Sequence, residues 1–348
     1  MTIREQLEAD EEAVLSPFAQ KSRQSRGRVR PEPLDPARPI FQHDRDRIIH
    51  SKSFRRLAGK TQVFLAPEGD HYRTRITHTL EVAQVARTVT RALRLNESLT
   101  EAIVMGHDLG HTPFGHAGEK VLAKLMPDGF HHVKQSIRVV EVLERDGRGL
   151  NLSLEVKDGI LKHSKGKGHI ISDNANLMAM TLEGQIVRIS DIVAYVNHDL
   201  DDAIRGRVVN PADIPKGILA ILGQSHSDRI ARMVGDMVDS SRLTEKRQIR
   251  MSDEVLDALI ALRDYLYETV YERDEIRGEF EKAQRIISDL WAYFHAHADE
   301  FHAKHWPKGV PESDGLSRAV ADFITGMTDR YALRIYEEYF LPKRWTVY

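Results

Sequence analysis

The 348-residue chain has no cysteine. This excludes disulfides and thiolate metal sites, and it fits a reducing compartment. Long apolar runs are also lacking. No stretch approaches the ~18 residues that a membrane span needs, and no signal-peptide pattern opens the chain. The expectation is a cytoplasmic protein without a membrane partner. Net charge is only −2, from 50 basic and 52 acidic residues, so no global field draws it to nucleic acid or anionic lipid. Strand-type alternation is scarce and no internal repeat is found. What the chain does have is histidine, 17 residues in all, several of them beside acids.

Helical periodicity dominates from residue 43 onward. Leu80, Ala83, Val85, Ala86, Val89 and Leu93 make an apolar stripe at 3–4 spacing after His78. Ser98 with Glu101 reads as a capping box, predicting a helix from about 99 to Gly106. Further helices are expected over 2–20, 115–126, 132–145, 153–163, 176–205, 226–239, 252–272, 275–299 and 315–340, with turns at Gly147–Gly149 and Lys165–Gly168 and a loop at Ser240–Met251. Residues 21–30 (KSRQSRGRVR) carry five basic side chains and no acid, and four prolines follow by residue 39. That stretch is expected to be an irregular, solvated arm, with single-stranded nucleic acid or nucleotide phosphates as its alternative partners. The expected organisation is an N-terminal helix and arm (1–38), a metal-binding core (39–210) and a C-terminal helical region (211–348) packed on it. The fold class is all-α.

The most informative segment is Gly106–Glu119, GHDLGHTPFGHAGE, with three histidines, two acids and four glycines in fourteen residues. Neighbours on a regular helix point ~100° apart and cannot face one ion. His107 and Asp108 are therefore expected where a helix ends, with Gly106 and Gly110 letting the backbone turn. His78 upstream and Asp191 downstream, in RISDIVAY, each lie in a helix with apolar neighbours, and a helical bundle can bring them to the same point. Two imidazoles and two carboxylates suit one divalent cation, Mn²⁺, Mg²⁺, Fe²⁺, Co²⁺ or Ni²⁺, with positions left for water and a phosphate oxygen. That chemistry points to phosphoester hydrolysis.

His116 and Glu119 are three apart on the following helix and share a face, a pairing suited to moving the proton of an attacking water or leaving group. Arg75 lies three residues before His78, where its guanidinium can fork onto a phosphate; Arg55, Arg56 and Arg73 are further candidates. Tyr195, four residues after Asp191, reads either as a sugar contact or as core.

These residues sit in a series of longer stretches: DRDRIIHSKSFRRLAGKTQVF (44–64), RTRITHTLEVAQVAR (73–87), AIVMGHDLGHTPFGHAGE (102–119), HHVKQS (131–136), GQIVRISDIVAYVNHDLDDAI (184–204) and GMTDRYA (326–332). In this order they resemble the HD-domain deoxynucleoside triphosphate triphosphohydrolases, the dGTPase-like family. The resemblance implies an HD-domain helical bundle with additional C-terminal helices and one metal held by His78, His107, Asp108 and Asp191. It implies that His116 and Glu119 act on the nucleophile, that His111 lies near the phosphates, that Arg75 contacts the α-phosphate and Tyr195 the deoxyribose, and that His132 and Arg56 contribute to substrate binding. Val133 and Lys134 depart from the usual Asn-Ala between that histidine and Gln135–Ser136. Asp199 and Asp202 match acids that follow the metal aspartate. The implied reaction is attack of water on the α-phosphorus of a dNTP, giving deoxynucleoside and tripolyphosphate. The implied assembly is a homo-oligomer, a tetramer or hexamer, with a dNTP effector in some members.

Two other functions compete. One is an HD-type phosphohydrolase acting on nucleoside monophosphates or cyclic nucleotides; the arginine set favours a polyphosphate over it. The other is a nucleotide or single-stranded nucleic-acid binding module, supported only by the basic arm.

Overall fold

The computed structural model describes residues 1–62, 73–164, 170–172, 174–241, 248–271 and 274–342. The expected turn at Lys165–Gly168, and half of the expected loop at Ser240–Met251, lie outside these. Among the described residues the fold is all-α: helices with no strands, and only two isolated bridges, Arg28 with Ser153 and Thr61 with Thr74. No helix among them is long and apolar enough to cross a membrane.

Three helices frame the centre. Arg75–Ala92 buries His78, Val82, Val85, Ala86 and Val89 along one stripe. Leu80, expected in that stripe, is 55% exposed. It lies two residues, hence ~200°, from His78, on the opposite face. Glu97–Gly106 starts earlier than the capping-box reading placed it, because Asn96 is the cap and its Oδ1 accepts from the Leu99 N–H at 3.1 Å. Leu182–Arg205, capped by Thr181, is buried along most of its length and runs through the middle of the core. Ile186, Val187, Ile189, Val193, Val196 and Leu200 are all fully buried on it, each contributing about 1.5–3 kcal/mol of apolar burial.

The buried apolar residues form two clusters. The larger joins residues from Ala19 to Val270. The smaller packs the His116–Leu125 helix against Asp274–Ala296, Ala298–His305, Leu316–Thr325 and Asp329–Phe340. Sequence periodicity ran several of these together. The expected 315–340 helix is two, broken at Gly326–Thr328, where Thr328 caps the second. The expected 132–145 helix stops at Arg138, widens over Val139–Leu143 and turns at Arg145–Asp146, both with positive φ. The 176–205 helix begins at Leu182, and 2–20 ends at Val14.

The arm is irregular, as expected, and half of residues 21–30 are exposed, but it is tied to the rest of the chain at several points. Lys21 pairs with Glu12 at 2.6 Å and Arg23 with Glu8 at 3.3 Å. Arg28 pairs with the fully buried Asp44, whose other oxygen accepts from the Ser153 N–H at 2.8 Å. The Arg26 N–H and Ser25 Oγ both reach Glu155, at 2.6 and 2.9 Å. The excess of positive charge read in this segment is largely balanced by acids elsewhere in the chain.

Candidate metal centre

The Glu97–Gly106 helix tightens as it ends. The His107 N–H bonds Val104 O at 3.4 Å, a three-residue step, and the His111 N–H bonds Asp108 O at 3.2 Å. This places His107 and Asp108 side by side at the helix end. The flanking glycines work differently from the expectation, since neither has a positive φ. They are needed for close approach: a Cβ on Gly106 would stand 2.4 Å from Ile160 Cδ1, and one on Gly110 only 2.2 Å from the backbone nitrogen of Ser136. Ser136 fixes the loop from the other side. Its Oγ donates to His107 O at 2.8 Å and accepts from the Gly110 N–H at 2.9 Å. Asp329, in the GMTDRYA stretch, holds the far end of the loop by accepting from the Phe114 N–H at 2.8 Å and the Thr61 N–H at 2.9 Å.

The four expected ligands converge. His78 Nε2 is 3.1 Å from Asp191 Oδ1 and 3.9 Å from Asp108 Oδ2; His107 Nε2 is 3.5 Å from Asp108 Oδ1 and 3.8 Å from Asp191 Oδ1. Donors about 2.1 Å from one octahedral ion lie about 3 Å apart in adjacent positions and about 4 Å apart across it. The measured separations fall in that interval. His78, His107 and Asp108 form a buried group able to hold a metal ion. The His107 ring is set for ligation: its Nδ1–H donates to Val104 O at 2.6 Å, and its buried Nε2 has no hydrogen-bond partner. Burial holds His78 below the usual imidazole range, so its ring is neutral and one of its two nitrogens is unprotonated. Burial pushes the Asp191 carboxyl up, but the hydrogen bond from His78 and nearby imidazoles more than offset this and keep it ionised.

Arg75, 2% exposed, donates from one guanidinium nitrogen to Asp108 Oδ2 at 2.8 Å, while its buried Nε has no partner. His111 Nε2 is 3.2 Å from Asp108 Oδ1, and its ring stacks on His132 at 4.0 Å between centroids. Glu119 makes its closest contacts with His132, accepting at 2.9 Å from both its backbone N–H and its Nδ1. His116, the expected partner, has its side chain 69% exposed and is 3.6 Å away. Burial would raise the Glu119 carboxyl, but His116, His132 and His111 hold it well below the usual carboxylate range. His132 is therefore the residue that orients Glu119.

All of these groups except buried His107 open onto one cavity of about 600 Å³, a size typical of ligand pockets. Tyr195 lines it, with its hydroxyl pushed up by burial. Arg56 does not. Its short helical turn, Lys52–Arg56, carries it to the wall of a different cavity. Charge alone marked Arg56, and charge does not say which way a turn faces. The sequence reading missed His163, whose Nε2 is 3.9 Å from Asp108 Oδ1, and His131, which lies 3.9 Å from Glu119. It also missed His198, which stands edge-on to His78 at 5.0 Å and donates to Glu81 at 2.7 Å. Arg263, Tyr267 and Phe280, which line the cavity from the C-terminal region, were missed as well.

The HD domain family model matches residues 75–196, which contain all four candidate ligands. A second model, the phosphohydrolase-associated domain, matches 249–338. Three curated relatives align over nearly the whole chain, and each is named a deoxyguanosinetriphosphate triphosphohydrolase-like protein. That of Caldanaerobacter subterraneus subsp. tengcongensis is 56% identical, covering 99% of this chain and 98% of its own. That of Desulfatibacillum aliphaticivorans is 51% identical over 98% and 99%, and that of Clostridium tetani 43% over 99% and 97%. The chain belongs to the deoxyguanosinetriphosphate triphosphohydrolase-like family. It is an HD-domain phosphohydrolase, and its phosphohydrolase-associated part lines part of the cavity and, through Asp329, anchors the loop that carries His107 and Asp108.

Proposed function

We propose that the protein hydrolyses deoxynucleoside triphosphates at the α-phosphorus, releasing the deoxynucleoside and tripolyphosphate. The observation that carries this reading is the convergence of His78, His107, Asp108 and Asp191 beside a buried arginine and an oriented glutamate in one cavity. A divalent cation held by those four side chains would lower the pKa of bound water and neutralise phosphoryl charge. Mn²⁺, Mg²⁺, Fe²⁺, Co²⁺ and Ni²⁺ all suit the donor set. The remaining work falls to the chain's own groups. Arg75, already anchored to Asp108, presents its free Nε–H and second amino group to a phosphate. Glu119, held ionised and aimed by His132, is the proton acceptor for the attacking water. His111 and His116 offer N–H groups at the phosphate end, and His116, being exposed, can exchange protons with solvent. Tyr195 packs on the sugar, where a 2′-hydroxyl would crowd it.

The test is purified protein assayed with each of these metals against a panel of dNTPs, with products identified. Tripolyphosphate and deoxynucleoside are expected. Pyrophosphate or orthophosphate as first product would overturn the assignment, and turnover of monophosphates or cyclic nucleotides alone would favour the other HD-type chemistry.

A further inference from the structure

Beside the four-ligand centre stands a second group of donors that shares none of its members. Glu119, His131 and His132 bring one carboxylate and two imidazoles together in the wall of the same cavity. Glu119 lies in the first turn of the His116–Leu125 helix, and His131 and His132 open the helix that follows. Neighbours on a regular helix could not face one point. His131, however, is the cap of its helix, with extended φ −146° and ψ 129°, and its ring lies 4.9 Å from that of His132.

The separations suit a tetrahedral ion. Ligands about 2.0–2.1 Å from zinc stand about 3.3 Å apart around it. Glu119 Oε1 is 2.9 Å from His132 Nδ1 and 3.9 Å from His131 Nδ1, and Glu119 Oε2 is 3.6 Å from His116 Nδ1. Small shifts of these side chains place them in one shell, with His116 or a water in the last position. The ion replaces the proton on His132 Nδ1, which passes to Nε2 or to solvent. Burial, then the neighbouring His132, lower His131 below the usual imidazole range, so its ring is neutral near pH 7.

The donor set also selects the ion. Two imidazoles with one glutamate are a set that zinc hydrolases use, and imidazole ligands favour Zn²⁺ over Mn²⁺ and Mg²⁺. This group is the weaker of the two. It has one carboxylate against two, and the helices starting at His116 and His132 turn their positive ends toward it. It therefore fills after the four-ligand centre, and Mn²⁺ leaves it open. Asp108, His111 and His132 are also within reach of one ion. Asp108 belongs to the first centre, however, and carries the Arg75 guanidinium at 2.8 Å, which repels a second cation there.

We propose that Glu119, His131 and His132 form a second, inhibitory zinc site. The inhibition rests on the reading of Glu119 as the proton acceptor, because an ion on that carboxylate occupies the lone pair that takes the proton. The site itself rests on the geometry alone.

Zinc counting tests the site without turnover. Metal-free full-length protein is titrated with Zn²⁺ in competition with a chromophoric chelator, and separately with Mn²⁺. Two Zn²⁺ but one Mn²⁺ per chain are expected. His131→Asn removes an imidazole and keeps an acceptor for the Val133 N–H at the helix cap. Its second zinc should bind at least about tenfold more weakly, with the first unchanged. One zinc per chain in the wild type, or equal second-site affinity in the two proteins, overturns the site. Inhibition is then read by adding Zn²⁺ to the Mn²⁺-loaded proteins, each normalised to its own zinc-free rate. The half-inhibitory zinc concentration should be about tenfold or more higher in His131→Asn. Zinc that only displaces Mn²⁺ from the first centre inhibits both proteins alike, and that result overturns the inhibitory role. A protein that turns over no dNTP would sink the substrate reading and the inhibitory role with it, while the zinc count still decides the site.

Discussion

His78 Nε2 lies 3.1 Å from Asp191 Oδ1 across 113 residues of sequence. Two long helices, Arg75–Ala92 and Leu182–Arg205, have to pack side by side for this contact to exist. The buried stripe on each makes them do so, and the two donors stand where the stripes reach the cavity.

Glu119 is held ionised and oriented by His132 and is not among the four candidate metal ligands. Glu119→Gln should lower kcat by about 10²–10⁴-fold and leave the metal content of the protein unchanged. Steady-state kinetics beside elemental analysis checks both. A fall in metal content would show that Glu119 is a ligand instead of a proton acceptor.

Tyr195 shares the cavity with Asp191, four residues away on the same helix. Tyr195→Ala should open space for a 2′-hydroxyl. The preference for dGTP over GTP in kcat/KM should narrow by about tenfold or more. An unchanged ratio would return Tyr195 to a packing role.

Gly110 sits against the backbone of the helix His132–Arg138. Gly110→Ala should therefore destabilise the protein by about 1–3 kcal/mol, as overpacking does, and should lower activity because the loop carrying Asp108 must move. Thermal unfolding followed by circular dichroism gives the first number. A wild-type melting temperature would show that the loop has slack.

Glu183 is fully buried. Its Oε1 accepts from the backbone N–H groups of Gln20 and Asn96, both at 3.0 Å, and its Oε2 has no partner. Burial pushes this carboxyl up to about 7. A carboxyl raised on folding binds its proton more tightly in the native state, so its stability is fully present below its unfolded value of 4.5 and is lost as pH rises toward 7. Glu183→Gln keeps the acceptor and removes the titration. The variant should be more stable than wild type at pH 8, by up to about 3 kcal/mol, and nearly equal to it at pH 4. Denaturant unfolding at the two pH values decides. An equal difference at both would mean that Glu183 does not titrate in this range.

The candidate metal set was legible because adjacent ligands need a helix end, and glycines around His107–Asp108 marked one. The reason for those glycines was not legible. Close approach to Ser136 and Ile160 is a tertiary fact, and the sequence shows only that a side chain is missing. His163 escaped notice because it caps an ordinary helix, Leu154–Lys162, and nothing near it in sequence is chemical. Arg56 was placed by charge and Asn96 was overlooked for Ser98; both errors come from one-dimensional signals that several neighbouring residues satisfy equally well. The ties of the basic arm were not legible because its partners, Asp44 and Glu155, lie 16 and 129 or more residues away. The motif GMTDRYA was recognised without a role, which came only when Asp329 was seen to hold Phe114.

The central claim is that four side chains grip a single ion. Titration of metal-free protein with Mn²⁺, followed by electron paramagnetic resonance of the free ion, measures it directly. One tightly bound Mn²⁺ per chain is predicted for the wild type, and binding at least about 10²-fold weaker is predicted for Asp191→Ala. Wild-type affinity and stoichiometry in Asp191→Ala would contradict the account.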